Sequence, residues 1–205
     1  MSFTGFNQND FQTFTINGLE ERMEAIRERI QPKFTQIGQE LTDHLSATLG
    51  NEMFLHIARH ARRSVNPPND TWLAIAENKR GYKKHPHFQV GLFDDHVFIW
   101  LAFIYELPNK SKIANVLLDK YDELTKLPDT YVVSLDHMKK VAMPISDLTE
   151  DNIIRFRDVK KAEFLIGQHI ASDDPILQDG KQFIKVCKET IDTLVPYYRL
   201  AVSTV

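Results

Sequence analysis

The sequence predicts an α+β fold: a mostly antiparallel sheet built on a central hairpin and packed against about four helices. Three observations lead there. HFQVGLF (87–93) and HVFIWLAFIYE (96–106), both β-type in composition, flank the two-residue turn Asp94-Asp95, the signature of a hairpin. Consecutive strands around the middle of the chain favour antiparallel pairing over a doubly wound α/β sheet. Apolar residues at 19, 23, 26, 30, 34, 37, 41, 45 and 49 step by three or four, which is one face of a long helix.

The elements follow in order. Asn17-Gly18 is a turn, and Glu20, Glu21 and Glu24 suit the positive end of the helix that follows. Pro32 either kinks that helix or opens a second one in its first turn, and Gly50 stops it. MFLHIARH (53–60) fits strand or helix. NPPND (66–70) is a loop, TWLAIAE (71–77) a strand and ENKRGYKKHP (77–86) a basic loop. In 87–93, Phe88, Val90 and Leu92 share one face. The strand from 96 is apolar on both faces, so it belongs at the centre, covered at least in part on both sides. Pro108 and Pro128 bracket a helix with the stripe Ile113, Val116/Leu117, Lys120/Tyr121 and Leu124. TYVVSLD (130–136) is a short strand. A helix opens near Thr149 with Glu150 and Asp151 in its first turn. KAEFLIGQHI (161–170) is an inner or edge strand, and Asp174-Pro175 a turn. The last helix runs from about Gly180 to Val195, with Phe183, Cys187, Ile191 and Leu194 inward and Pro196 ending it.

At 205 residues, 42% hydrophobic and 26% charged, the chain has ordinary globular values and needs no division; residues 1–205 are expected to form one domain. Its one cysteine, Cys187, excludes an intramolecular disulfide and fits a reducing cytosol. MSFTGFNQNDF has neither the basic nor the apolar stretch of a signal peptide. The longest apolar run, within 97–105, falls short of the roughly twenty residues a membrane helix needs. A cytoplasmic protein without a membrane partner is expected.

Charge is distributed unevenly. HIARHARRSVNPPNDTWLAIAENKRGYKKHPH (56–87) holds Arg59, Arg62, Arg63, Lys79, Arg80, Lys83 and Lys84 against Asp70 and Glu77, a local +5 in a chain of −3. The same segment holds His56, His60, His85 and His87, four of the eight histidines. Such an island concentrates phosphates or carboxylates, whereas an acidic remainder argues against general coating of nucleic acid. Arginine forks and lysine point charges would bind the anion, Gly81 would admit close backbone approach, and Tyr82 could stack on a base. The candidate anion-binding set is Arg59, His60, Arg62, Arg63, Lys79, Arg80, Tyr82, Lys83, Lys84, His85 and His87. The competing account is a solvated face whose arginines pair with the acidic remainder.

The runs HARRSVNPPNDTW, NKRGYKKHPHFQVGLF and SLDHMK resemble the YktB-like family of uncharacterised proteins from Bacillus and related Gram-positive bacteria, over nearly the whole length from DFQTF to LVPYY. The resemblance implies a compact single-domain α+β fold in a cytosolic bacterial protein. It implies no activity and no catalytic residues.

Other constellations are weaker. Four imidazoles could hold zinc, but no HExxH or cysteine pair occurs and the arginines would repel a cation, so no metal is expected. Neither a P-loop nor a dinucleotide fingerprint occurs, so no cofactor is expected. In Asp136-His137 an acid could orient a base, but neighbours on a strand point to opposite faces, and an exposed histidine beside a turn is the simpler account. Cys187 lies on an apolar stripe, and Trp72 and Trp100 read as core. Three functions remain: a binding protein for a phosphorylated ligand (a nucleotide or short RNA), an enzyme on an anionic small molecule with His60, His85 or His87 as acid–base, and a module docking an acidic protein. Binding ranks first.

Overall fold

The computed structural model describes residues 3–204; Met1 and Ser2, part of the stretch read for a leader, lie outside them, as does Val205. Seven strands form one sheet: β1 Phe54–Ile57, β2 Thr71–Ala76, β3 His87–Leu92, β4 His96–Phe103, β5 Tyr131–Ser134, β6 Met143–Pro144 and β7 Phe164–Ala171. Their order is β1-β2-β3-β4-β7-β5-β6, and every neighbouring pair is antiparallel. The expected hairpin is β3–β4, and β4 is the middle strand of the seven, buried along its whole length.

The helices are α1 Gln8–Gln12, α2 Leu19–Ala25, α3 Gln31–Leu49, α4 Lys110–Leu118, α5 Tyr121–Leu124, α6 Glu150–Asp158 and α7 Gly180–Val202. A π-turn at Ile26–Ile30 joins α2 to α3, and Pro32 stands in the first turn of α3, so the second of the two readings at that proline holds. Thr149 caps α6 through a capping box with Asn152. The open 53–60 contains a strand, because 54–57 pairs with β2. Two boundaries depart from expectation. The 108–128 region holds two helices. The last helix runs through Pro196 to Val202: the proline removes one backbone bond, but Tyr197, Tyr198 and Ala201 beyond it are buried, and Tyr198 packs on Phe88 at 5.2 Å. Burial of those rings outweighs the missing donor.

Alternation gives the sheet two unlike faces. Leu73, Ile75, Phe88, Val90, Ile99, Leu101, Phe164 and Ile166 enter the main core with Ile30, Phe34, Leu41, Ile113, Phe156, Phe183 and Leu194 from the helices. The other face presents Trp72, Ala74, Phe98, Trp100, Ala102 and Leu165, with Ala58, Phe93 and Ile104; no α-helix contributes to this cluster. Connections cover it instead. Gly91 and Gly167 lie beneath Phe98 and Trp100, and a side chain at Gly167 would strike the Ile99 carbonyl as well.

Candidate functional site

The helix-free face gathers polar side chains on an apolar floor. Across β2 and β3 it carries Trp72, His87 and Gln89, and the connections 58–70, 78–86 and 135–142 bring further groups over them. Arg22 fixes the first connection: its guanidinium donates to the Ile16 carbonyl (2.8 Å) and the Pro68 carbonyl (2.9 Å). Lys140 fixes the third by pairing with Asp94 and Asp95 at the β3–β4 turn.

Trp72 is the centre. Its Nε1–H donates to the Tyr82 hydroxyl at 2.9 Å, Lys83 Nζ stands 5.5 Å from its ring, and His60 and His137 approach edge-on at 5.5 and 6.2 Å. The two halves of the basic island, distant in sequence, therefore meet over one indole. Arg63, His60, Tyr82 and Lys83 are half-buried, while Arg59, Arg62, Lys79, Arg80 and Lys84 on the same two connections are exposed. None of the seven basic residues forms an ion pair among the described residues, so pairing with the acidic remainder does not account for them.

The histidines differ. His60 is the one non-glycine residue among those described with positive φ (48°), and its Nε2 bonds Thr71 Oγ1 at 3.1 Å. Burial, then the charges of Arg63 and Lys83, pull it down to about 4, so it is neutral at neutral pH. His87 is fully buried and brought to about 3 by burial; its Nδ1 bonds the half-buried His85's carbonyl (2.8 Å) and its Nε2 the Gln89 amide (2.8 Å). Both nitrogens are engaged, which leaves His87 supporting the floor. His56 stacks against Tyr82 at 4.9 Å and bonds the Asn78 carbonyl; it lies on a strand and His60 beyond it, so they do not form a helical i, i+4 pair.

Two acids complete the site, neither singled out from sequence. Asp70 is 1% exposed and its Oδ2 has no partner. Burial raises it to about 6, against the opposing pull of His137, Arg63 and Lys83. Glu163, just before β7, is equally enclosed. Its carboxylate accepts the His137 Nδ1–H at 2.7 Å and the His137 backbone N–H at 2.8 Å. The partner that orients His137 is thus Glu163, 26 residues along the chain, while Asp136 accepts from the Met138 backbone N–H and pairs with Lys139. His137 is therefore not the exposed histidine read from sequence: its side chain is 11% exposed.

Asp136, His137 and Glu163 also place three donor atoms within 4.8 Å of one another, a set that includes none of the histidines weighed for zinc. Lys139, Arg155 and Lys161 line the same groove of about 520 Å³. With those cations close and the His137–Glu163 bond formed, the group is better described as an oriented imidazole than as a metal nest.

Residues 6–198 match the family described as Domain of unknown function (DUF1054). The chain belongs to that family. YktB is its Bacillus member, in agreement with the resemblance read from sequence. Similar proteins include a UPF0637 protein of Oceanobacillus iheyensis, 63% identical over 98% of both chains, and one of Shouchella clausii, 60% identical over 99% of this chain and 97% of that one. A third, from Listeria welshimeri, is 57% identical over 99% of this chain and all of its own. These names carry no activity, so the chemistry of this DUF1054 member rests on its geometry. No helix among the described residues is long and apolar enough to cross a membrane.

Proposed function

We propose that the protein binds a phosphorylated ligand of nucleotide type, free or at the end of a short RNA, on the helix-free face of its sheet. The observation that carries this reading is the convergence of the island's two halves: Lys83 stands over Trp72, and Arg63 and Lys83, neither in an ion pair, both act on His60. Unpaired, half-buried cations beside an aromatic wall are what a phosphate joined to a flat base requires. The exposed outer ring of Arg59, Arg62, Lys79, Arg80 and Lys84 would draw such a ligand in over several ångströms of solvent.

The test is a melting-temperature panel at low salt with pyrophosphate, nucleotides, a short RNA and an acidic peptide. A ligand at a hundredfold excess over its Kd adds about 2.7 kcal/mol. A shift with one phosphorylated class, reduced by salt and lost in Arg63→Ala/Lys83→Ala, supports the site and says whether the ligand is free or part of RNA. A shift with the acidic peptide alone would replace this reading with protein docking.

A further inference from the structure

We propose that the same face hydrolyses a phosphate diester, with His137 as general base and Asp70 as general acid. The proposal rests on the phosphate-binding reading above and adds chemistry to it.

The base is built from its partner outward. Glu163 accepts three N–H groups, from the His137 ring, the His137 backbone and the Tyr105 backbone (3.4 Å). An acceptor-only carboxylate on Nδ1 fixes the proton there, which leaves the Nε2 lone pair available. Nothing among the described residues bonds Nε2. The ring stands edge-on to Trp72 at 6.2 Å, and His137, Arg63 and Lys83 all act on Asp70. Glu163 is a positioning residue.

The acid is argued from what surrounds it. An ionised carboxylate does not tolerate a buried oxygen without a partner, whereas a carboxylic acid offers an O–H there. Asp70 is faced by Arg63 from the first connection, Lys83 from the second and His137 from the third; Tyr82 also feels its charge. An imidazole whose Nδ1–H is held by Glu163 and a carboxyl enclosed without a partner make an acid–base pair.

The step balances without a co-reactant beyond water. His137 Nε2 takes a proton as water oxygen bonds to phosphorus. The bond from phosphorus to the leaving oxygen breaks, and Asp70, enclosed beforehand, gives that oxygen its proton once the ester has entered beside it. Arg63 and Lys83 neutralise charge on the non-bridging oxygens. The products are a monoester and an alcohol, and transfer of the proton from His137 through solvent to Asp70 restores the start.

The experiment measures hydrolysis of the phenyl and 4-nitrophenyl esters of thymidine 5′-phosphate by the full chain at pH 5–8, beside binding of the same esters. Diesters do not titrate in that range, so the profile reports the protein. His137→Gln keeps an N–H for Glu163, and with its melting temperature verified it should lower kcat/KM for both esters by about 10²–10⁴. Asp70→Asn should cost the phenyl ester, the poorer leaving group, at least about tenfold more than the nitrophenyl ester. It should also remove the alkaline limb near pH 6. Glu163→Gln should lower kcat with KM little changed, and Glu163→Asp should recover part of the loss. Salt-sensitive binding without turnover above the His137→Gln background would overturn the acid–base pair and leave the binding reading standing. Full turnover in His137→Gln would also overturn it. Neither binding nor turnover would overturn both.

Discussion

Replacing Asp70 by Asn should stabilise the protein at neutral pH and leave it unchanged in acid. The carboxyl is enclosed, with Oδ2 unpartnered, and burial raises it from 3.8 to about 6. A carboxyl with a raised folded-state pKa holds its proton more tightly folded than unfolded. Its contribution to stability is therefore complete below about pH 4 and is lost as pH rises to about 6. A difference of about two units at about 1.4 kcal/mol each gives about 3 kcal/mol lost across that window. Asparagine has the same shape and no charge to desolvate. Asp70→Asn should match the wild type near pH 4 and exceed it by up to about 3 kcal/mol at pH 7.5, or about 6–12 °C in Tm for a chain of this size. Melting curves of both proteins every half unit between pH 4 and 7.5 measure this, and taking their difference cancels all other titrations. A difference that does not vary with pH, or a variant less stable at pH 7.5, would refute the account of Asp70. Stability gained by removing a charge the fold must desolvate is the trade expected of a residue that serves function.

Gly167→Ala would drive a methyl group into the Ile99 carbonyl between the two central strands, and should cost about 3 kcal/mol or more in urea unfolding. His60 holds φ at 48°, so His60→Gly should be about 1 kcal/mol more stable than His60→Ala by the same assay, both lacking the ring. His87→Ala removes a buried ring and strands the Gln89 amide, for about 2–4 kcal/mol. The wild-type imidazole, held down to about 3 against 6.5 unfolded, makes stability fall as pH drops below 6.5; His87→Gln should flatten that fall in calorimetric scans between pH 6.5 and 4.

Much of the fold was legible because it depends on local patterns. The stripe from 26 to 45 is the buried face of the π-turn and α3, and the run from 96, apolar on both faces, is the central strand. Where local pattern and tertiary contact compete, the sequence misleads. Pro196 reads as a stop, yet Tyr198 behind it is core; β1 has four half-buried residues and takes its identity from β2. The two-residue β6 and the five-residue α1 are too short to carry a period. The candidate site divides likewise. Charge density marked the basic island, and its halves do meet. Asp70 read as part of a loop, because nothing local says that a carboxylate after two prolines will be enclosed. His137 read as an exposed histidine beside a turn, because the Glu163 partner arrives only when β5 and β7 pair.

The central claim is that Arg63 and Lys83 form an anion site over Trp72. Calorimetric titration of pyrophosphate into the wild type and Arg63→Ala/Lys83→Ala, each at low salt and at about tenfold higher salt, tests it most directly. The account predicts wild-type binding that weakens at least about tenfold with salt and is absent in the double variant. Equal affinity in the two proteins, or none in either, would contradict it.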